Sequence, residues 1–319
     1  MNVLIVGDVM VDSYLWGKVE RISPEAPVPI VTVKKREDRL GGAANVALNI
    51  KVLGANPILC SVIGTDEKGK LFLDLLRAQQ MSNEGIVMTG ERTTTVKTRV
   101  IGNQYQMLRV DEETDTKVET QDLASLLEHV VSILSSKKID VIIFEDYDKG
   151  VIDKTLIEKI VALAAKKNIP VTADPKKKNF NHYKNITLFK PNLKELREGL
   201  KADFDKDNLP EIITAVKAFN KHHGIDMSLV TLSEKGILLC NAKDTQLIPA
   251  HVRNITDVSG AGDTVISVAS LCLAAGADAL ATATLANLAG GQVCEKVGVV
   301  SVDKKQLMEE AKPLLKFGR

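Results

Sequence analysis

Close to its C-terminal end the chain reads Asp257-Val258-Ser259-Gly260-Ala261-Gly262-Asp263-Thr264, followed by the apolar helical pattern Val265 to Ala275. A glycine-rich turn opening onto a helix leaves backbone N–H groups without intrahelical partners at the positive end of the dipole, which makes a seat for an anion. A carboxylate in such a seat repels phosphate. Asp263 therefore points to chemistry: it can accept the proton of a hydroxyl while that oxygen attacks phosphorus. A plain N-terminal cap is the alternative role for the same residue.

Three further groups have spacings suited to a small ligand. In Leu40-Gly41-Gly42-Ala43-Ala44-Asn45, paired glycines let the backbone approach a ligand and Asn45 offers a donor and an acceptor to a sugar diol; close packing of a helix on a sheet is the competing role. The first apolar run, Val3 to Val6, ends in Gly7-Asp8-Val9-Met10-Val11-Asp12, and ligands of open α/β sheets bind beyond the carboxyl ends of strands, so Asp8 and Asp12 are expected to read substrate hydroxyls or else to form turns. In Lys190-Pro191-Asn192-Leu193-Lys194-Glu195, Asn192 and Glu195 lie one helical turn apart, a spacing that can organise Mg²⁺ waters beside phosphate; a capping box accounts for the same pair. Gly64 to Lys70 has the spacing of a phosphate-binding loop, but Leu71 stands where its Mg²⁺-binding Ser or Thr must be. Gly260-Ala261-Gly262 lacks the third glycine of a dinucleotide fingerprint, and the five histidines show no metal-ligand spacing.

These residues need a scaffold. Short β-branched runs alternate with amphipathic stretches, which predicts a parallel sheet covered by helices on both faces. Strands are expected at 3–6, 141–144, 170–173, 186–189 and 228–232, and helices at 123–134 and 156–165. Residues 13–34, with Pro24, Pro27 and Pro29, and residues 94–111, which read as a hairpin around Gly102-Asn103, break the rhythm and suggest a small antiparallel lid. A two-residue period puts Lys97 and Arg99 on one face of that hairpin, either toward a ligand or as a solvated edge.

Composition sets the outer bounds. With 319 residues, 45% hydrophobic and 26% charged, the chain can bury a sizeable core, and a net charge of +1 gives no broad field for nucleic acid or an anionic membrane. Four scattered cysteines read as reduced, mostly buried thiols. No apolar run approaches 18 residues and no secretory leader is evident, so the expected location is cytoplasmic.

Taken in order, Gly41-Gly42…Asn45, Asn192-x-x-Glu195 and Gly260-Ala261-Gly262-Asp263 resemble the ribokinase-like (pfkB) carbohydrate kinases along essentially the whole chain. The resemblance implies one doubly wound α/β kinase domain over 1–319, with a mainly parallel sheet, helices on both faces and a small β lid from about 13–34 and 94–111. It implies ATP and Mg²⁺, leaves open a monovalent cation, and suggests a homodimer formed through the lid. By the same resemblance Asp263 is the base, and the amides of Gly260, Ala261 and Gly262 hold the transferring phosphoryl group. Asn192 and Glu195 organise Mg²⁺ and phosphate, Glu195 through water. Ser233 and Gly236 lie near ATP, Asn287 borders adenine, and Asp12, Gly41, Gly42 and Asn45 read the sugar. Met10 stands where ribokinase has Asn, so ribose is not expected. Within the family, Arg21 to Pro29, Asp146-Tyr147…Lys149-Gly150 and Asp174-Pro175-Lys176 look like the heptose 7-phosphate kinases of ADP-heptose synthesis, often fused to a nucleotidyltransferase that here is expected as a separate partner. A phosphorylated sugar needs a second anion site, for which Arg21, Lys97, Arg99, Arg109 and Lys176 are candidates. Another hexose or ketose (phosphate) kinase of the same family is the nearest alternative, and a nicotinamide-dependent dehydrogenase and a non-catalytic sugar- or nucleotide-binding regulator are the rival classes.

Overall fold

Strands that are apolar on both faces must be sandwiched between helices, and the computed structural model, which describes residues 1–103, 105–251 and 253–314, has that architecture. The N-terminal half runs β1 (Asn2–Gly7), β2 (Val9–Ile22), β3 (Pro29–Gly42), α1 (Ala43–Val52), β4 (Asn56–Gly64), α2 (Glu67–Ala78), β5 (Gly85–Thr89), β6 (Val96–Gly102), β7 (Tyr105–Glu112), α3 (Thr120–Ser136), β8 (Val141–Glu145) and α4 (Lys154–Lys166). There follow β9 (Val171–Asp174), β10 (Leu188–Phe189), α5 (Leu193–Leu200), α6 (Leu209–His223), β11 (Met227–Thr231), β12 (Ile237–Asn241), β13 (Thr245–Ile248), α7 (Ala261–Ala274), α8 (Ala279–Val293) and α9 (Lys304–Ala311).

The large sheet has the order β13-β12-β11-β10-β9-β8-β1-β4-β5; neighbours from β11 to β5 are parallel, and β12 and β13 close one edge antiparallel. One face carries Leu4, Val6, Ile142 and Phe144 against α3, α4 and α6, while the other carries Val3, Ile5, Val141 and Ile143 against α1, α7 and α8. Chain order reverses about β1, which lies between β8 and β4, so a crevice opens beyond the carboxyl ends of these strands.

The smaller sheet, β3-β2-β6-β7, joins two antiparallel hairpins through a parallel β2–β6 contact. Its strands reach further into the molecule than the sequence suggests: β2 begins at Val9, directly after β1, and β3 runs on to Gly42. Asp12 thus belongs to the lid's root rather than to a loop beyond β1. Gln104, inside the expected hairpin, is outside the described residues.

Candidate active site

Alternation along three neighbouring strands brings three charged residues under the first turn of α7. In β8, Val141 and Ile143 face α7, so Glu145 faces it too; in β9, the Thr172 hydroxyl lies 2.8 Å from that of Ser270 on α7, so Asp174, two residues on, points the same way. Leu188 on β10 has that face, and Lys190 follows it. Glu145 is opposite Gly7 on one side and Asp174 on the other. Lys190 Nζ is 2.5 Å from Asp174 Oδ2, and Lys176 Nζ is 3.3 Å from Asp174 Oδ1 while also bonding Glu195.

Asp263 stands above this row. Gly260, at φ 79°, is the N-cap of α7 and supplies no side chain, so Asp263 is the third helical residue and not the cap. Its carboxylate is 4% exposed and turned inward: Asn45 Nδ2 donates to Oδ2 at 2.7 Å and the Tyr147 hydroxyl donates to Oδ1 at 2.6 Å. Burial raises the Asp263 pKa, the two donors oppose that shift, and Asp174 reinforces it. Thr264 N is bonded to Gly260 O, so the helix itself gives the amides of Gly262 and Asp263 no partner. A Cβ on Gly260 would stand 2.9 Å from Asn45 Nδ2, and one on Gly262 would stand 3.1 Å from Lys190 Nζ, so both glycines keep the turn open to a close neighbour.

The Gly41-Gly42 pair is a crossing point of backbones. A Cβ on Gly41 would collide with the Asp12 carboxylate, and Gly42, at φ 58°, would press on the Asp8 carbonyl, which accepts from Ala43 N at 3.0 Å. Asn45 follows on the first turn of α1 with Oδ1 buried and without a protein partner, free to accept from a ligand hydroxyl. Asp12 is buried against the Arg99 guanidinium, so Arg99 neutralises the carboxylate expected to read the sugar. Asp8 corrects the sequence expectation: its oxygens accept from the backbone N–H groups of Tyr147, Lys149 and Val151. It shapes the 146–151 loop that carries Tyr147, with both oxygens engaged by backbone amides.

At the start of α5 the expected capping box is complete. Glu195 N donates to Asn192 Oδ1 at 2.8 Å and Asn192 N donates to Glu195 Oε2 at 2.7 Å, while Lys176 takes the other Glu195 oxygen. Asn192 also bridges to Thr231, which sets it beside the turn holding Ser233 (φ 51°) and Gly236 (φ 96°). That turn is a tight β11–β12 connection in which a Cβ on Gly236 would collide with Ile248 O. Asn287 Nδ2 donates to Pro249 O at 2.8 Å, tying α8 to the segment after β13.

The expected cations separate. Lys176 and Arg99 lie within the cluster. Arg109 is half-exposed and forks onto Asp111 at 2.8 and 2.9 Å, outside it. Arg21 is exposed nine residues beyond Asp12 on β2, about 30 Å along the strand, too far to share one sugar with Asp263. Lys97 lies 3.8 Å from Glu113, which is also 2.7 Å from Lys149. Arg92, whose Nη2 donates to Lys149 O at 2.7 Å, completes a basic group the sequence reading missed. Glu145, Tyr147 and Lys190 were also missed as site residues. The available signal was their position at or just past strand ends, where α/β sheets bind ligands.

Mg²⁺ suits this end of the sheet. The available side-chain donors are oxygens, and both carboxylate oxygens of Glu145 are buried without a hydrogen-bond partner. Among the described residues no three His, Cys, Asp or Glu side chains converge to hold an ion directly, so the fit is for a hydrated ion.

Residues 1–306 match the pfkB family carbohydrate kinase model. Curated relatives include the bifunctional protein HldE of Koribacter versatilis, 40% identical over 96% of this chain and 62% of that protein, and those of Helicobacter acinonychis (39%, 93% and 63%) and Rhodospirillum rubrum (39%, 97% and 62%). The chain thus spans somewhat under two thirds of these relatives' length. Among solved structures, Escherichia coli phosphofructokinase-2 in complex with potassium superposes with a TM-score of 0.82 at 17% identity over 98% of both chains. Arabidopsis thaliana ribokinase complexed with ribose and ATP gives 0.72 at 17% identity over 97% of this chain and 98% of that one. Those two likenesses concern the fold. With its family model matched from the first residue into the start of α9, and relatives near 40% identity along nearly all of its length, the chain belongs to the pfkB family of carbohydrate kinases, phosphotransferases that act on a sugar hydroxyl.

Proposed function

We propose that this kinase transfers the γ-phosphoryl group of ATP to the anomeric hydroxyl of D-glycero-D-manno-heptose 7-phosphate, with Asp263 as the base. The observation that carries this reading is the Asp263 carboxylate, buried beneath the open N-terminus of α7 and held by Asn45 and Tyr147. Held there, Asp263 accepts the hydroxyl proton as the sugar oxygen attacks phosphorus in line. The amides of Gly260 and Gly262, with that of Ala261 once it is released from Val258 O, take up the charge on the equatorial phosphoryl oxygens, and ADP leaves. Asn45, through its free Oδ1, and Asp12 orient the sugar; the β11–β12 turn with Ser233 and Gly236, together with Asn287, borders the nucleotide. Glu195 would hold Mg²⁺ through water, and the ion would supply positive charge to the phosphates.

Heptose 7-phosphate is favoured over an unphosphorylated sugar by the HldE relatives and by the Lys97, Lys149 and Arg92 group at the lid's root, where a far-end phosphate can displace Glu113. The 1,7-bisphosphate then passes, after loss of one phosphate, to a nucleotidyltransferase, in keeping with the bifunctional relatives. The test is a coupled ADP-release assay over sugars and sugar phosphates, with and without K⁺. Turnover should be highest with the heptose phosphate, Asp263→Asn should lower kcat by about 10²–10⁴-fold with nucleotide binding kept, and Lys97→Ala should raise KM for the sugar phosphate but not for ATP. Undiminished turnover by Asp263→Asn removes the base; equal turnover of heptose and its 7-phosphate removes the substrate.

A further inference from the structure

Glu145 has no part in the scheme above, yet it is the most exceptional polar group in the molecule. It is fully buried at the end of β8, and neither carboxylate oxygen has a hydrogen-bond partner, an arrangement that is costly unless a ligand compensates. The backbone makes room for it. Gly7 on the adjoining strand bears no side chain where any Cβ would collide with residue 145.

Its surroundings define what it lacks. Asp174, Asp263 and Glu195 occupy the same end of the sheet, all at 5% exposure or less, and with Glu145 they make four carboxyl groups. Two ammonium groups, Lys176 and Lys190, face them, and both are committed to Asp174 or Glu195. The cluster therefore holds an excess of two carboxyl groups over cations. Carboxyl oxygens that outnumber the cations facing them suit a hard divalent cation.

We propose that Glu145 is an outer-sphere partner of a divalent cation at the carboxyl ends of β8 and β9, binding its water shell together with Asp174. This extends the kinase reading, since the cation would reach phosphate from beneath Asp263, but it can be tested apart from turnover. Mn²⁺ is titrated into the full chain, with and without ADP, and free Mn²⁺ is followed by its electron paramagnetic resonance signal. Wild type should bind Mn²⁺, and Glu145→Gln should weaken that binding by about 10-fold or more, the usual loss for an outer-shell partner. Glu145→Ala should lose as much, and serves if the amide does not fold; thermal unfolding in EDTA checks both. Either folded variant binding Mn²⁺ as tightly as wild type overturns the inference, as does a wild type that binds none even with ADP. A wild type that phosphorylates sugars while ignoring residue 145 in Mn²⁺ affinity sinks this inference alone. Mn²⁺ binding that depends on residue 145, in an enzyme inert toward every sugar phosphate, leaves it standing and removes the heptose reading.

Discussion

Asp263 is poised by two neutral donors of unequal standing. Asn45 is fixed at the start of α1, three residues beyond the Gly42 crossing, whereas Tyr147 rides on the 146–151 loop that Asp8 gathers with three hydrogen bonds from backbone amides. Burial and neighbouring carboxylates hold the Tyr147 phenol well above its ordinary pKa, so it stays a donor. Its hydrogen bond favours the charged form of Asp263, so Tyr147→Phe should raise the Asp263 pKa and leave the base protonated over a wider acid range. The acid limb of the kcat/KM profile should move to higher pH, and kcat at neutral pH should drop roughly 10-fold, the equivalent of one hydrogen bond to a charged group. An unmoved limb would mean that Tyr147 only fills space.

At the level of elements, the strand ends decide which side chains meet. Gly7 permits β8 to carry Glu145 at full depth, so Gly7→Ala should destabilise the fold by about 1–3 kcal/mol through overpacking, read as a lower denaturation midpoint at unchanged m-value. A midpoint equal to wild type would show that β1 and β8 can part locally. Much of this framework was legible in the sequence. The runs at 141–144 and 228–232 and the helices at 123–134 and 156–165 were readable because β-branched clusters and a 3.6-residue period survive in them. Others were not. β4 and β5 went unread although turn residues frame them, Gly54 to Pro57 before β4 and Gly64 to Asp66 after it, and β10 pairs only over Leu188–Phe189, two residues short of the expected start at Ile186. In the site, Asp263 and Asn45 were legible from glycine-rich turns opening onto helices. Glu145 and Lys190 were not, because a single charged residue after an apolar run looks the same whether it meets a ligand or solvent. Asp8 misled for the opposite reason: an aspartate after a strand can serve backbone amides as readily as hydroxyls.

Over the whole molecule, charge is balanced and no helix of the described residues is long and apolar enough to cross a membrane, so the surface feature that needs a physical account is the lid. The outer edge of its sheet is β7, where Tyr105, Met107, Leu108 and Val110 are all exposed, Tyr105 at 76% and Leu108 at 58%. An open strand edge with an apolar row templates pairing with another chain, and proteins that leave one uncovered aggregate. Covering by a second copy satisfies both the unpaired backbone groups and the apolar row, and a twofold arrangement closes without further growth. Wild type should therefore sediment at about twice its 34.7 kDa at micromolar concentration. Replacing Leu108 and Val110 by Lys puts like charges across the twofold axis and should yield monomers with the far-UV spectrum intact. Because β6 is held between β7 and β2, the same change should loosen Arg99 and Lys97 at the lid's root and raise KM for the sugar more than for ATP. A monomeric wild type, or a doubly substituted chain that still sediments as a dimer, would place the contact elsewhere and leave the exposed row of β7 without that explanation.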